Sequence, residues 1–155
     1  MSATPLQSAL DGLGALAVPG VTNYPMEAVP EALTRAQLPA LLVLPGSTQN
    51  NRLFQQRGEG FQTVAFADGA RTVTAAVTHL LLAVPVAANL GLRATMPTLT
   101  AHIDAYLVAL AGDVTLGGAL LRPAEVSIDV GSYTHGGTDY HACAFRHLWT
   151  LAVTP

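Results

Sequence analysis

Residues 71–84 read as one strand of fourteen positions, with Val73, Ala75, Val77, His79 and Leu81 on one face, Thr72, Thr74, Ala76 and Thr78 on the other, and an apolar run continuing to Val84. At about 3.3 Å per residue such a strand is roughly 46 Å long, so the chain must build a sheet able to pair it. The segment just upstream, residues 61–67, also alternates and leads into Asp68-Gly69, a strong two-residue hairpin signal. Seven residues cannot pair fourteen. The surplus has to bend, bulge or find another partner, and Pro85 marks where the strand stops being central.

The other elements follow from their own periods. Leu6, Leu10, Leu13 and Leu16 recur at helical steps within residues 3–17, with Pro5 in the first turn. Gly12 and Gly14 weaken that helix by up to about 1 kcal/mol each relative to alanine, so it has to gain its stability from packing. Residues 18–25 read as an irregular connection, and residues 30–37 as a short helix begun by Pro30 and ended by Pro39. The apolar run at residues 40–44 fits a strand buried on both faces. Thr95 fits an N-cap with Pro97 in the first turn, and Met96, Leu99, Ile103, Tyr106, Leu107 and Leu110 make one stripe through Ala111. Val126, Ile128 and Val130 alternate with Glu125, Ser127 and Asp129, residues 133–138 resemble a hairpin, and residues 140–153 form a last strand with Cys143, Phe145, Trp149, Leu151 and Val153 on its bulky face. These elements predict an α+β fold in one domain spanning residues 1–155: a mostly antiparallel mixed sheet, a long helix on one face and an N-terminal helix. The expected core is Leu41, Val43, Val73, Val77, Leu99, Ile103, Tyr106, Leu107, Val126, Ile128, Phe145, Trp149 and Leu151.

Only 11% of the 155 residues are charged, against roughly a quarter in an ordinary domain, so something other than water is expected to cover part of the surface. There is no lysine, the seven arginines are scattered, and the net charge is −3, which argues against a phosphate-neutralising nucleic-acid binder. The apolar run 80–92 carries Pro85 and Asn89 and is too short to cross a membrane. The N-terminus lacks the basic region and apolar stretch of a signal peptide, the first arginine being Arg35, so synthesis in the cytoplasm is expected.

The histidines and the single cysteine are the residues best suited to chemistry. His141, Cys143 and His147 share a strand face, but Phe145 and Trp149 make that face core-like and no nearby carboxylate completes a zinc site. Cys143 sits between Ala142 and Ala144 in an apolar strand, a poor setting for a reactive thiolate. There is no Gly-x-Ser-x-Gly elbow, no P-loop and no paired carboxylates. The expectation is a protein without catalytic residues, metal or cofactor.

Asp104-Ala-Tyr106, Asp113-Val-Thr-Leu-Gly-Gly118, Val126-Ser-Ile-Asp-Val130 and Tyr140 through Trp149 together resemble the tail terminators (tail completion or minor tail proteins) of long-tailed phages and related prophages, where a helix, an acidic residue, a Leu-Gly-Gly turn and two closing strands follow one another. The likeness covers about the C-terminal half. It implies a virion tail protein made in the host cytoplasm, forming a homo-oligomeric ring, expected to be a hexamer. Such a ring caps the tail tube, ends polymerisation of the tube protein and presents a surface to the head-completion (neck) protein, with DNA only as passing cargo and no membrane.

Within that reading, residues 46–60 are expected to be a mobile assembly loop, with Arg52, Leu53, Phe54 and Arg57, together with Thr72 and Thr74, as the interface. Asp113, Gly117 and Gly118 are expected to shape a turn, the carboxylate accepting backbone N–H groups. Two alternatives stay open: another tail or neck component, or a small ligand-binding module or enzyme acting as monomer or dimer through Tyr133, His135, Tyr140 and His141.

Overall fold

A computed structural model describes residues 5–44, 72–88 and 91–153. Helix α1 (Pro5–Gly14) leads to a short strand β1 (Thr22–Tyr24) and, after two single 3₁₀ turns, to β2 (Ala40–Leu44). The long strand β3 (Thr72–Pro85), helix α2 (Leu92–Ala111) and the hairpin β4 (Glu125–His135) and β5 (Thr138–Ala152) complete the order. The sheet runs β1-β2-β3-β5-β4; β1 and β2 are parallel and every other pair is antiparallel. The fold is therefore α+β with a mostly antiparallel mixed sheet, as the periodicities require. Among the described residues no helix is long and apolar enough to cross a membrane.

The length problem of β3 is solved inside the chain. It pairs with β5 from Thr72↔Ala152 to Pro85↔Tyr140, with one irregularity between Leu82 and Val84, and with β2 over Thr78–Leu82 on its other side. The extra residue, Ala83, turns its methyl into the core. The predicted strand 61–67 and its Asp68-Gly69 turn lie outside the described residues.

Each face of the sheet has its own cover. Leu41, Val43, Val77, Leu81, Cys143, Phe145, Trp149 and Leu151 pack beneath Leu10 and Leu13 of α1 and Leu99, Tyr106 and Leu110 of α2. On the reverse face Ala40, Leu42, Leu80, Leu82, Tyr133, Tyr140, Ala142 and Ala144 pack against Tyr24, Val29, Leu33 and Leu38 from β1 and the segment after it. Strand β2 is thus buried on both faces, which is why its sequence is an unbroken apolar run.

Four local expectations need correction. The connection 18–25 contains β1, three residues being too few to show alternation. The helix expected over 30–37 shrinks to one 3₁₀ turn, Arg35–Gln37, which Thr34 starts by exchanging a capping box with Gln37. Helix α2 begins a turn earlier than Thr95, with Gly91 as N-cap; the Thr95 hydroxyl donates back to the Gly91 carbonyl at 3.2 Å and Pro97 lies inside the helix. Two expected core residues are exposed: Leu107 at 39% and Ile128 at 43%. At about 100° per residue, Leu107 sits roughly 80° around α2 from Leu99, whereas Tyr106 and Leu110 lie within about 20° of it. Ile128 faces the helix side opposite Phe145, but β4 is the sheet's outermost strand, and among the described residues no further strand lies beyond it. Val73, Ile103 and Val126 are half-buried against the core.

Replacing Leu99, which is fully buried, by alanine is expected to cost about 2–5 kcal/mol. Leu107→Ala should cost less than about 1 kcal/mol. Denaturant unfolding of the two variants checks this, and equal losses would show that α2 is rotated from the position described.

Candidate functional site

The most organised chemistry in the molecule is buried, and it begins at an indole. Trp149 Nε1 donates to His147 Nδ1 at 3.1 Å. His147 Nε2 lies 2.6 Å from the Tyr106 hydroxyl, which lies 2.9 Å from His79 Nδ1. His79 Nε2 is 2.8 Å from Asn23 Oδ1, and Asn23 Nδ2 donates to the carbonyls of Leu13 and Leu16, both at 2.9 Å. An indole N–H can only donate and a carbonyl can only accept, so both ends fix the sense of every bond between them. His147 carries its proton on Nε2 and donates it to Tyr106; Tyr106 donates to His79 Nδ1; His79 donates from Nε2 to Asn23. The chain runs through β5, α2, β3 and β1 and ends on the last carbonyls of the α1 region.

Both imidazoles are neutral in this arrangement. Burial pushes His147 down to about 4, and burial, then the nearby His147, hold His79 well below the usual histidine range. Burial, then the Cys143 thiol, raise the Tyr106 hydroxyl well above its ordinary value. The Tyr106 ring stacks on Phe145 with centroids 3.7 Å apart. Nothing in the spacing of residues 23, 79, 106, 147 and 149 announces this assembly: Tyr106 and Trp149 read as core-face residues, His147 as a neighbour of His141 and Cys143, His79 as one position of an alternating strand, and Asn23 as part of a connection.

The predicted sites are placed as follows. Gly117 N donates to Asp113 Oδ1 at 2.7 Å, and Leu116, Gly117 and Gly118 all take left-handed conformations, φ 50°, 71° and 84°. The carboxylate thus closes the Leu-Gly-Gly turn as expected. Leu116 bears a conformation costing roughly 1 kcal/mol or more, offset by burial of its side chain against α1, where a Cβ on Gly12 would meet it at 3.1 Å. The helix glycines therefore mark a close approach, which their cost to helicity concealed. Thr72 is half-buried and Thr74 exposed, and they pair with Ala152 and Thr150 inside the chain. Arg52, Leu53, Phe54 and Arg57 lie outside the described residues, as does the loop 46–60.

The alternative ligand group does not form one site. Tyr133 and Tyr140 are cross-strand partners buried on the reverse face, and His135 Nε2 bonds the Pro30 carbonyl at 2.7 Å, tying the hairpin end to the segment after β1. His141 alternates to the opposite face of β5. His141, Cys143 and His147 do share a face, but both nitrogens of His147 are engaged, and burial pushes the Cys143 thiol up to about 12, where it stays protonated. Among the described residues no group of three His, Cys, Asp or Glu side chains could hold a metal ion.

One open cleft adds to this picture. About 410 Å³ in volume, it lies between the 3₁₀ turn at Arg35, the end of β3 and α2, with apolar walls from Leu38, Pro39, Ala83, Val84 and Pro85. Arg35, Thr98 and His102 are its polar groups, and burial lowers the His102 imidazole below its ordinary value. No family model matches the chain, and no curated protein matches it.

The histidine shifts fix a pH response. Unfolded histidine titrates near 6.5. Between that value and about 4 the unfolded chain binds more protons than the folded one, so stability is full above the window and falls as pH drops through it. His147 alone accounts for roughly 3 kcal/mol over that range. Urea unfolding followed from pH 8 to pH 4 should show a plateau and then this loss; a flat profile would mean that the imidazoles are not buried neutral. At pH 7, Tyr106→Phe should cost about 2 kcal/mol or more, because it leaves His79 Nδ1 and His147 Nε2 without a partner.

Proposed function

We propose that this chain is a tail terminator subunit of a long-tailed phage or related prophage, a ring-forming protein that caps the tail tube, ends its polymerisation and offers a surface to the neck protein. The observation that carries this reading is the succession of helix α2, Asp113, the left-handed Leu-Gly-Gly turn and the β4–β5 hairpin, the same succession on which the C-terminal likeness to tail terminators rests. Low charge agrees with a surface meant for other subunits. The exposed Val108, Leu121 and Val114 add apolar area that a partner would cover. In this reading α2 and the closing hairpin are scaffold, and the buried polar chain holds their mutual orientation.

Negative-stain microscopy of the purified protein, alone and mixed with tail tube protein, tests the proposal. Six-fold rings, or tubes capped and held to a defined length, are the expected outcome. Native mass spectra showing a monomer under both conditions would overturn it.

A second reading, a small ligand-binding module, draws on the Arg35–His102 cleft: apolar walls with one guanidinium fit a small apolar acid. Octanoate should then raise the melting temperature of the protein and leave that of Arg35→Gln unchanged. No shift in the parent protein would remove this reading.

A further inference from the structure

Among the described residues, strand β4 is the outermost strand at one edge of the sheet. It is eleven residues long and keeps a single register with β5 from Glu125↔Leu148 to His135↔Thr138, without a bulge. It contains no lysine, arginine or proline, and among the described residues no element pairs with its outer side. The opposite edge of the sheet, β1, has only three residues. Proteins that remain single shorten, charge, bend or cover such edges, because a row of unpaired N–H and C=O groups is a template for another strand. Here β4 carries two acids, Glu125 and Asp129, and exposes Ile128 between them.

We propose that the outer edge of β4 docks a second copy of itself, pairing antiparallel across a two-fold axis at Ile128. The strand's own sequence selects this occupant. A two-fold axis normal to the sheet keeps the helices of both copies on one side, so residues of equal parity oppose each other. Centring on Ile128 sets Ile128 against its own copy, Val126 against Val130, Ser127 against Asp129 and Glu125 against Gly131. Apolar residues then meet apolar residues, and a hydroxyl faces a carboxylate. Asp129 is already neutralised by Arg146, whose Nε lies 3.2 Å from Oδ2, so the acids brought to diagonal positions are not bare.

The neighbouring registers are worse on the same grounds. Centring on Asp129 opposes two copies of that acid, and centring on Ser127 opposes Glu125 to Asp129. Centring on Val130 sets Ile128 against Ser132 and Val126 against Thr134. The Ile128 register joins the two five-stranded sheets into one and covers the side chain left bare by the sheet's end.

This contact goes beyond the tail reading. It closes at two copies and contributes nothing to a six-fold ring, so each can fail without the other. Sedimentation of the intact protein over rising concentration should show the mass double. Ile128→Lys, which places a charge on the axis, should return it to the single-subunit mass. Under copper–phenanthroline, Ile128→Cys should form a disulfide dimer, the copper oxidant taking the two electrons as the two thiols lose their protons. Ser132→Cys, far from the axis, should not form one, and buried Cys143 keeps the parent protein silent. The proposal is overturned if the parent stays at single-subunit mass throughout, if Ile128→Lys dimerises undiminished, or if Ser132→Cys cross-links as readily as Ile128→Cys. Capping of tubes by Ile128→Lys is read separately and reports on the tail reading alone.

Discussion

The hydrogen-bonded sequence from the Trp149 indole to the Leu13 and Leu16 carbonyls is the constraint on which the rest of the structure depends. It passes through the middle of a core that is otherwise apolar, where each unmet donor or acceptor would cost about 1–3 kcal/mol. Satisfying all of them at once requires that β5, α2, β3 and β1 stand in one arrangement. Hydrophobic burial would tolerate small slides of α2 over the sheet; a chain of bonds between 2.6 and 3.1 Å does not. The Tyr106 ring adds a second lock by lying flat on Phe145.

The same chain explains why Asn23 sits on a three-residue strand. That strand contributes little to the sheet by itself. Its value is that it carries one amide able to accept from His79 and to donate twice to the end of the α1 region, to the carbonyls of Leu13 and Leu16. Strand β1, the N-terminal helix and the sheet centre are thereby joined through a single side chain.

Much of the fold was legible in the sequence, because periodicity reports burial. The unbroken apolar run of β2 matches its burial on both faces, the stripe through Leu99, Tyr106 and Leu110 matches the buried side of α2, and Val77 and Leu81 of the β3 alternation lie in the core beneath the helices. What failed was whatever depends on neighbours. Ile128 has the alternation of a half-buried strand, but a sequence does not say which strand will be outermost. Leu107 fits a stripe by spacing and misses it by angle. The start of α2 was misplaced because Thr95 and Pro97 form a convincing cap signal, while Gly91, the residue that begins the helix, gives none. At the site, the Asp113 turn was readable because carboxylate and glycines are contiguous. The polar chain was not, since its members lie up to 126 positions apart (149 − 23) and only the folded sheet brings them into line.

The contact between Gly12 and Leu116 bears on how this sequence can vary. A helix near the N-terminus and a turn about a hundred positions later share one small volume, with Cβ and carbonyl of Leu116 both 3.1 Å from where a methyl on residue 12 would lie. Neither position can therefore drift alone. A side chain at 12 is admissible only if the backbone at 116 gives by a few tenths of an ångström, because the atoms it meets are the Cβ and the carbonyl of residue 116 and not the end of its side chain. Residue 12 is thus held to glycine by the backbone of a turn far along the chain and not by its own helix.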